Sequence, residues 1–228
     1  RYRSSAASDV YKRQPFLSCP VAFRLKPPQE TIGSIVSKLG FKQFHCAETE
    51  KYPHVTFFIN GGREEPYKGE KRVLVPSPDV ATYDLKPEMS CQEVSTEVIN
   101  ALKNDEYKLI VVNYANGDMV GHTAKREAII EAMECLDKNL GDVLKAALEN
   151  GVATLVTADH GNVDEILDAE GNPNPKHSCN PVPCVVVDRL KKWKMSSSGG
   201  LSNIAPTMLD LMNIEKPTAM DRSLIDSD

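Results

Sequence analysis

Five side chains in three separate stretches have the types and spacings that bind divalent metal. They are Asp118 and His122 in "NYANGDMVGHTA", Asp159 and His160 in "TADHGN", and His177 in "NPKHSCNPVP". A carboxylate and an imidazole four positions apart share one face of a helical turn. Such a pair can grip a cation through bonds of about 2.0–2.2 Å. His177 lies among Pro173, Pro175, Pro181 and Pro183, and a pre-shaped loop loses less entropy on binding. Oxygen and nitrogen donors without thiolate suit Mn²⁺, Mg²⁺, Zn²⁺ or Co²⁺ rather than Cu(I). Five ligands are too many for one tetrahedral ion with an open position and too few for two complete shells. A two-metal site missing some ligands fits best, although spacing alone does not count the ions. Such pairs clamp both oxygens of an in-line phosphoryl transfer. Taken singly, each element has a plainer reading: surface decoration for the Asp-x-x-x-His, and a cap with a turn glycine for the "DHG".

Lys51, in "AETEKYPHVTFF", also has two readings. By its neighbours it is a surface lysine paired with Glu48 or Glu50, a contact of little energetic weight. The alternative is a point charge that neutralises a phosphate. Asn60-Gly61-Gly62 reads first as a turn, and "RLKKWK" at 189–194 as a solvated basic run. Neither a G-x-x-x-x-G-K loop nor a G-x-G-x-x-G fingerprint occurs, so nucleotide binding has no motif support.

Three loops can converge only on a scaffold, and the apolar periodicity supplies one. "ETIGSIVSKLG" sets Ile32, Ile35, Val36 and Leu39 on one helical face, with Gly40 as the stop. "KQFHCAE", "HVTFFIN" and "RVLVPSP" read as short strands, and "REEPYKGEKR" as a solvated loop. Ser90 and Glu93 form a capping box for the helix "CQEVSTEVINALKN". Strand "KLIVVNYA" follows, then a long helix from about Thr123 to Asn150, strand "VATLVTAD", the apolar run "PCVVVD" and a last helix "SNIAPTMLDLMN". Val- and Ile-rich strands separated by helices predict an α/β fold, a mostly parallel sheet covered by helices on both faces. In such sheets ligands sit beyond the carboxyl ends of strands, where Asp118, Asp159 and His160 fall.

The formal charge of -5 gives no electrostatic footprint for nucleic acid, and no apolar run approaches the roughly 18 residues of a membrane span. The six cysteines are scattered without a C-x-x-C pair, which points to a reduced, cytoplasmic protein. Residues 1–14, "RYRSSAASDVYKRQ", lack the apolar segment of a secretory signal and read as a non-native leader. Residues 15–28 read as an extended linker because proline forbids continuous helix, and 29–228 as the metal-binding domain.

Taken together, "AETEKYPHVTFFINGG", "VNYANGDMVGHTA", "TADHGN" and "HSCNPVP" resemble the cofactor-independent (2,3-bisphosphoglycerate-independent) phosphoglycerate mutase family of the alkaline phosphatase superfamily. The resemblance runs from about Pro27 to Ile225. It implies an alkaline phosphatase-like fold, incomplete on its N-terminal side. It further implies that Asp118, His122 and His177 hold one cation, that Asp159 and His160 hold a second, and that Lys51 contacts the substrate phosphate. Mn²⁺ is the expected metal, with Mg²⁺ or Co²⁺ as substitutes, and no 2,3-bisphosphoglycerate is needed. The implied substrate is a small phosphoglycerate, with no nucleic-acid or membrane partner and a monomeric parent. The implied reaction interconverts 2- and 3-phosphoglycerate through a phosphoserine. The family's nucleophilic serine, one aspartate ligand, the glycerate-orienting arginines and the isomerising domain have no counterpart here. The chain is therefore expected to be inactive alone, a C-terminal portion with exposed sheet edge and poor solubility. Gly117 stands where the family has proline, and Ala124 where it usually has glycine. The alternatives are another phosphohydrolase or phosphomutase of the superfamily, or a non-catalytic metal-binding fragment.

Overall fold

A computed structural model describes residues 27–226. The expected leader and residues 15–26 of the expected linker lie outside the described residues. Three strands form a parallel sheet in the order β2-β1-β3: β1 (Lys42–Glu48), β2 (Glu70–Val75) and β3 (Tyr107–Asn113). Helices cover both faces, as the alternation of side chains along a strand requires. Phe44 and Cys46 of β1, with Ile110 and Val112 of β3, pack against α2 (Cys91–Lys103) and α4 (Arg126–Glu149). The opposite face of β3, Leu109 and Val111, packs against α1 (Ile32–Lys38) and α5 (Ile204–Leu211). Val36 and Leu209 are fully buried there, each contributing roughly 1.5–3 kcal/mol by removal from water. A short α3 (Asn116–Gly121) leaves the end of β3 and leads to α4.

Four expectations change. The "HVTFFIN" run is no strand: His54–Phe58 is a π-helix. Pro53 starts it at φ -60, ψ -29, and the Thr56 hydroxyl donates to the Tyr52 carbonyl at 2.7 Å. His45 Nδ1 takes the Val55 carbonyl inside this turn, so local contacts outweigh the strand propensity of the run. Second, α2 begins where expected, but Ser90 makes no capping bond; its hydroxyl donates to the Pro76 carbonyl at 2.7 Å. A capping box forms instead at Thr31 and Ser34, ahead of α1. Third, β4 (Thr154–Thr157) and β5 (Cys184–Val187) form an antiparallel pair, and no ladder joins it to the parallel sheet among the described residues. Fourth, α4 starts at Arg126 rather than about Thr123, because Ala124 sits at φ 50 and interrupts the helix. Left-handed backbone costs a non-glycine residue about 1–2 kcal/mol, against about 0.5–1 kcal/mol for glycine's extra unfolded freedom. Ala124→Gly should therefore gain roughly 0.5–1 kcal/mol by these magnitudes. The check is a raised urea midpoint at unchanged slope.

A buried polar layer under the π-helix fixes its position. His45 is fully buried on β1, with Nδ1 2.5 Å from the Val55 carbonyl oxygen and Nε2 3.0 Å from Gln43 Oε1. The Gln43 amide nitrogen donates in turn to the Gly33 carbonyl at 2.9 Å. Glu70, opposite Gln43 on β2, accepts from Asn60 Nδ2, the Tyr67 amide and Arg72 Nε. These bonds tie the segment that carries Lys51 and His54 to the rigid centre of the sheet.

Candidate metal centre

β3 delivers the first two site residues. Past Asn113 the chain turns into α3, held by buried Asn116, whose Nδ2 donates to the Pro87 and Glu88 carbonyls at 2.9 Å each. Asp118 falls in the first turn of α3 and His122 caps its end. The spacing of four sets His122 Nε2 2.9 Å from Asp118 Oδ1.

The other two loops meet at Gly161. Ser178 N donates to the Gly161 carbonyl at 3.0 Å, and any Cβ on Gly161 would collide with the Ser178 hydroxyl. That contact brings the proline-rich loop down onto the end of β4. His177 Nε2 then lies 2.9 Å from Asp118 Oδ1 and 3.3 Å from His122 Nε2. The His160 and His177 rings stack with centroids 3.6 Å apart. His160 Nε2 lies 3.8 Å from Asp118 Oδ1 and 3.6 Å from Asp159 Oδ1. His122, His160 and His177 thus lie within 4 Å of Asp118 Oδ1, while Asp159 reaches the group only through its neighbour His160. Among the described residues, Asp118, His122 and His177 are the set whose ligand atoms lie close enough to share one ion.

The donor set fits a cation. Bonds of about 2.1 Å separate neighbouring ligand atoms by about 3.0 Å in octahedral and 3.4 Å in tetrahedral geometry. The observed 2.9, 2.9 and 3.3 Å lie in or just below that range. His122 Nδ1 donates to the Pro175 carbonyl at 2.7 Å, which leaves its Nε2 lone pair facing the cluster. Three electron-pair donors aimed at one point repel unless a cation or shared protons lie among them.

Lys51 is not the surface lysine of the plainer reading. Its side chain is 4% exposed, and Nζ donates to Asp118 Oδ2 at 2.5 Å rather than to Glu48 or Glu50. Glu48 is instead fully buried, with Oε2 accepting from the Ser77 hydroxyl, and burial pushes its carboxyl up. Burial also pulls Asp118 toward its neutral form. The Lys51 hydrogen bond and charge, then the His122 and His160 rings, more than offset this and hold its carboxyl far below the usual carboxylate range. Asp118 is thus a charged ligand at any ordinary pH.

Spacing did not reveal Asn162 or the nearby His54. Asn162 donates to Asp118, and its only sequence signal is its position directly after "DHG". His54 shares the electrostatic surroundings of Asp159 and Asp118, with its pKa lowered by burial and then by Lys51. The misread strand hid it. A Cβ added at Gly117, where the resemblance expects proline, would touch Met133 Sδ at an ordinary 3.8 Å.

Strand ends and a loop that bring a carboxylate and imidazoles together mark a class of protein, and the chain belongs to the Metalloenzyme superfamily, which it matches over residues 19–216. Within that class it is similar to the 2,3-bisphosphoglycerate-independent phosphoglycerate mutase of Pseudomonas paraeruginosa, 49% identical over 211 residues, 92% of this chain and 41% of that protein. The mutase of Chloroflexus aggregans is 49% identical over 205 residues, 88% of this chain and 38% of that one. A crystal structure of Leishmania mexicana phosphoglycerate mutase at low cobalt concentration superposes with a TM-score of 0.79 at 32% identity, covering 85% of this chain and 38% of that one. The chain thus spans 38–41% of the length of these relatives.

Proposed function

We propose that this chain is the C-terminal metal-binding portion of a phosphoglycerate mutase that interconverts 2- and 3-phosphoglycerate, with a place in glycolysis and gluconeogenesis. The observation that carries the reading is 49% identity to such mutases across 92% of the chain. In this reading Asp118, His122 and His177 hold one divalent cation, and Asp159 and His160 contribute to a second. Mn²⁺ is the metal of choice, with Co²⁺ or Mg²⁺ as substitutes. When bound, the cations supply charge stabilisation for a transferring phosphoryl group. Lys51 orients Asp118 through Oδ2 and presents an ammonium to the substrate phosphate. No helix of the described residues is long and apolar enough to cross a membrane, and we place the parent in the cytoplasm as a monomer.

Alone, the chain should bind metal and not turn over. Its activity is tested by joining residues 29–228 to the remaining N-terminal part of a relative such as the Pseudomonas mutase. The chimera should isomerise 3-phosphoglycerate in the presence of Mn²⁺ and lose that activity with chelator. A folded, metal-loaded chimera that only hydrolyses simple phosphate esters would favour the phosphohydrolase alternative and end the mutase reading.

A further inference from the structure

We propose that Asn162 is a positioning residue for the Asp118 carboxylate, holding Oδ1 toward His122 and His177 so that it is presented as a ligand. The inference rests on the metal-centre reading above. Asn162 is 4% exposed. Its Nδ2 donates to the Asp118 carbonyl oxygen at 3.3 Å and to Asp118 Oδ1 at 3.1 Å. Both partners accept only, so the amide has a single workable orientation; reversed, its oxygen would face two oxygens. In that orientation Asn162 Oδ1 is buried with no hydrogen-bond partner. It presses on Gly121 so closely that a Cβ there would collide with the amide.

A buried acceptor without a partner lowers stability, and a small apolar side chain at 162 would avoid the penalty. Nor does the Asp118 carbonyl need Asn162, because it already accepts from the His122 amide at 3.0 Å. What Asn162 adds is control of one carboxylate. Lys51 takes Oδ2 at 2.5 Å while Asn162 takes Oδ1, so the plane of the Asp118 carboxylate is clamped from both ends. Without Asn162, Oδ1 keeps only the His122 and His177 imidazoles beside it, and nothing outside the cluster sets its direction toward them. Asn162 also follows His160 by two positions, so the same bond ties the second loop to α3. The structure therefore accepts an unsatisfied oxygen at 162 in exchange for a fixed ligand direction at 118. Groups that orient metal ligands act in this way.

The test is Mn²⁺ titration of the purified full chain, followed by the electron paramagnetic resonance signal of free Mn²⁺, beside urea unfolding of the metal-free chain. Asn162→Ala should weaken Mn²⁺ binding by about 10- to 100-fold with the metal-free urea midpoint unchanged or raised. Gly121→Ala, which keeps the amide but drives it away, should weaken binding to a similar degree. The double variant should be no worse than the weaker-binding single one, because both remove the same contact. Asn162→Ala binding within twofold of the parent overturns the inference. So does a loss of affinity that merely tracks a loss of metal-free stability, since that marks a structural role. A parent chain that takes up no Mn²⁺ overturns the metal-centre reading itself, a result distinct from either.

Discussion

Replacing Asp118 with alanine is expected to abolish Mn²⁺ uptake and to cost the metal-free chain about 3–5 kcal/mol of unfolding free energy, the range for removing one partner of a buried ion pair. The two effects have different sources. Uptake is lost because Asp118 Oδ1 lies 2.9 Å from both His122 Nε2 and His177 Nε2. Stability is lost because Lys51 Nζ, on a side chain 4% exposed, keeps its charge and loses its acceptor. An uncompensated ammonium in that position is costlier than the pair was beneficial. Adding Lys51→Met should therefore restore most of the stability and none of the metal binding. Urea unfolding and Mn²⁺ titration of the two single variants and the double variant check this. If Asp118→Ala leaves both quantities intact, the ligand assignment is wrong.

The same pair sets a pH dependence. The folded Asp118 pKa is depressed, chiefly through Lys51 acting against burial. Its contribution is fully present above the unfolded carboxylate value of about 3.9. It is lost as pH falls through the depressed folded value.

The second large effect lies in the scaffold. Glu70→Ala should destabilise the chain by about 3–5 kcal/mol, again as the removal of one member of a buried charged network. The Glu70 side chain is fully buried. It accepts from Arg72 Nε at 2.5 Å, from Asn60 Nδ2 and from the Tyr67 amide. Removing it strands donors on β2, on the turn after the π-helix and on the loop into the strand. Because Asn60 closes the segment that begins at Lys51, Mn²⁺ affinity should fall as well, by less than in the Asp118 variant. Chemical unfolding with hydrogen exchange at Phe58–Gly62 reads both consequences. Loss of protection confined to β2, with residues 58–62 unchanged, would show that the layer does not anchor the π-helix.

What was readable beforehand follows from which interactions are local. Asp118 and His122 sit four apart, and a helical turn alone brings them together. Leu109 and Val111 against Ile110 and Val112 show the period of two that assigns β3 to a sheet with two covered faces. The π-helix was not readable, because Val55, Thr56, Phe57 and Phe58 carry strand propensity. The Pro53 start and the hold of His45 on the Val55 carbonyl overrode it. Ser90 has the right spacing for a cap, but the Pro76 carbonyl, fourteen residues away, takes its hydroxyl. The surface-lysine reading of Lys51 failed for the same kind of reason: its neighbours in sequence are acidic, while its partner lies sixty-seven residues on. The Gly161–Ser178 and Gly121–Asn162 contacts are likewise long-range. A lone glycine shows that space is short without saying what fills it.

Asp118, His122 and His177 are proposed to bind one divalent cation. Crystals of the chain grown with Mn²⁺ and measured at the manganese absorption edge test it directly. An anomalous peak is expected about 2.0–2.2 Å from Asp118 Oδ1, His122 Nε2 and His177 Nε2. A Mn²⁺-saturated crystal with no peak there, or with its peak elsewhere on the chain, would contradict it.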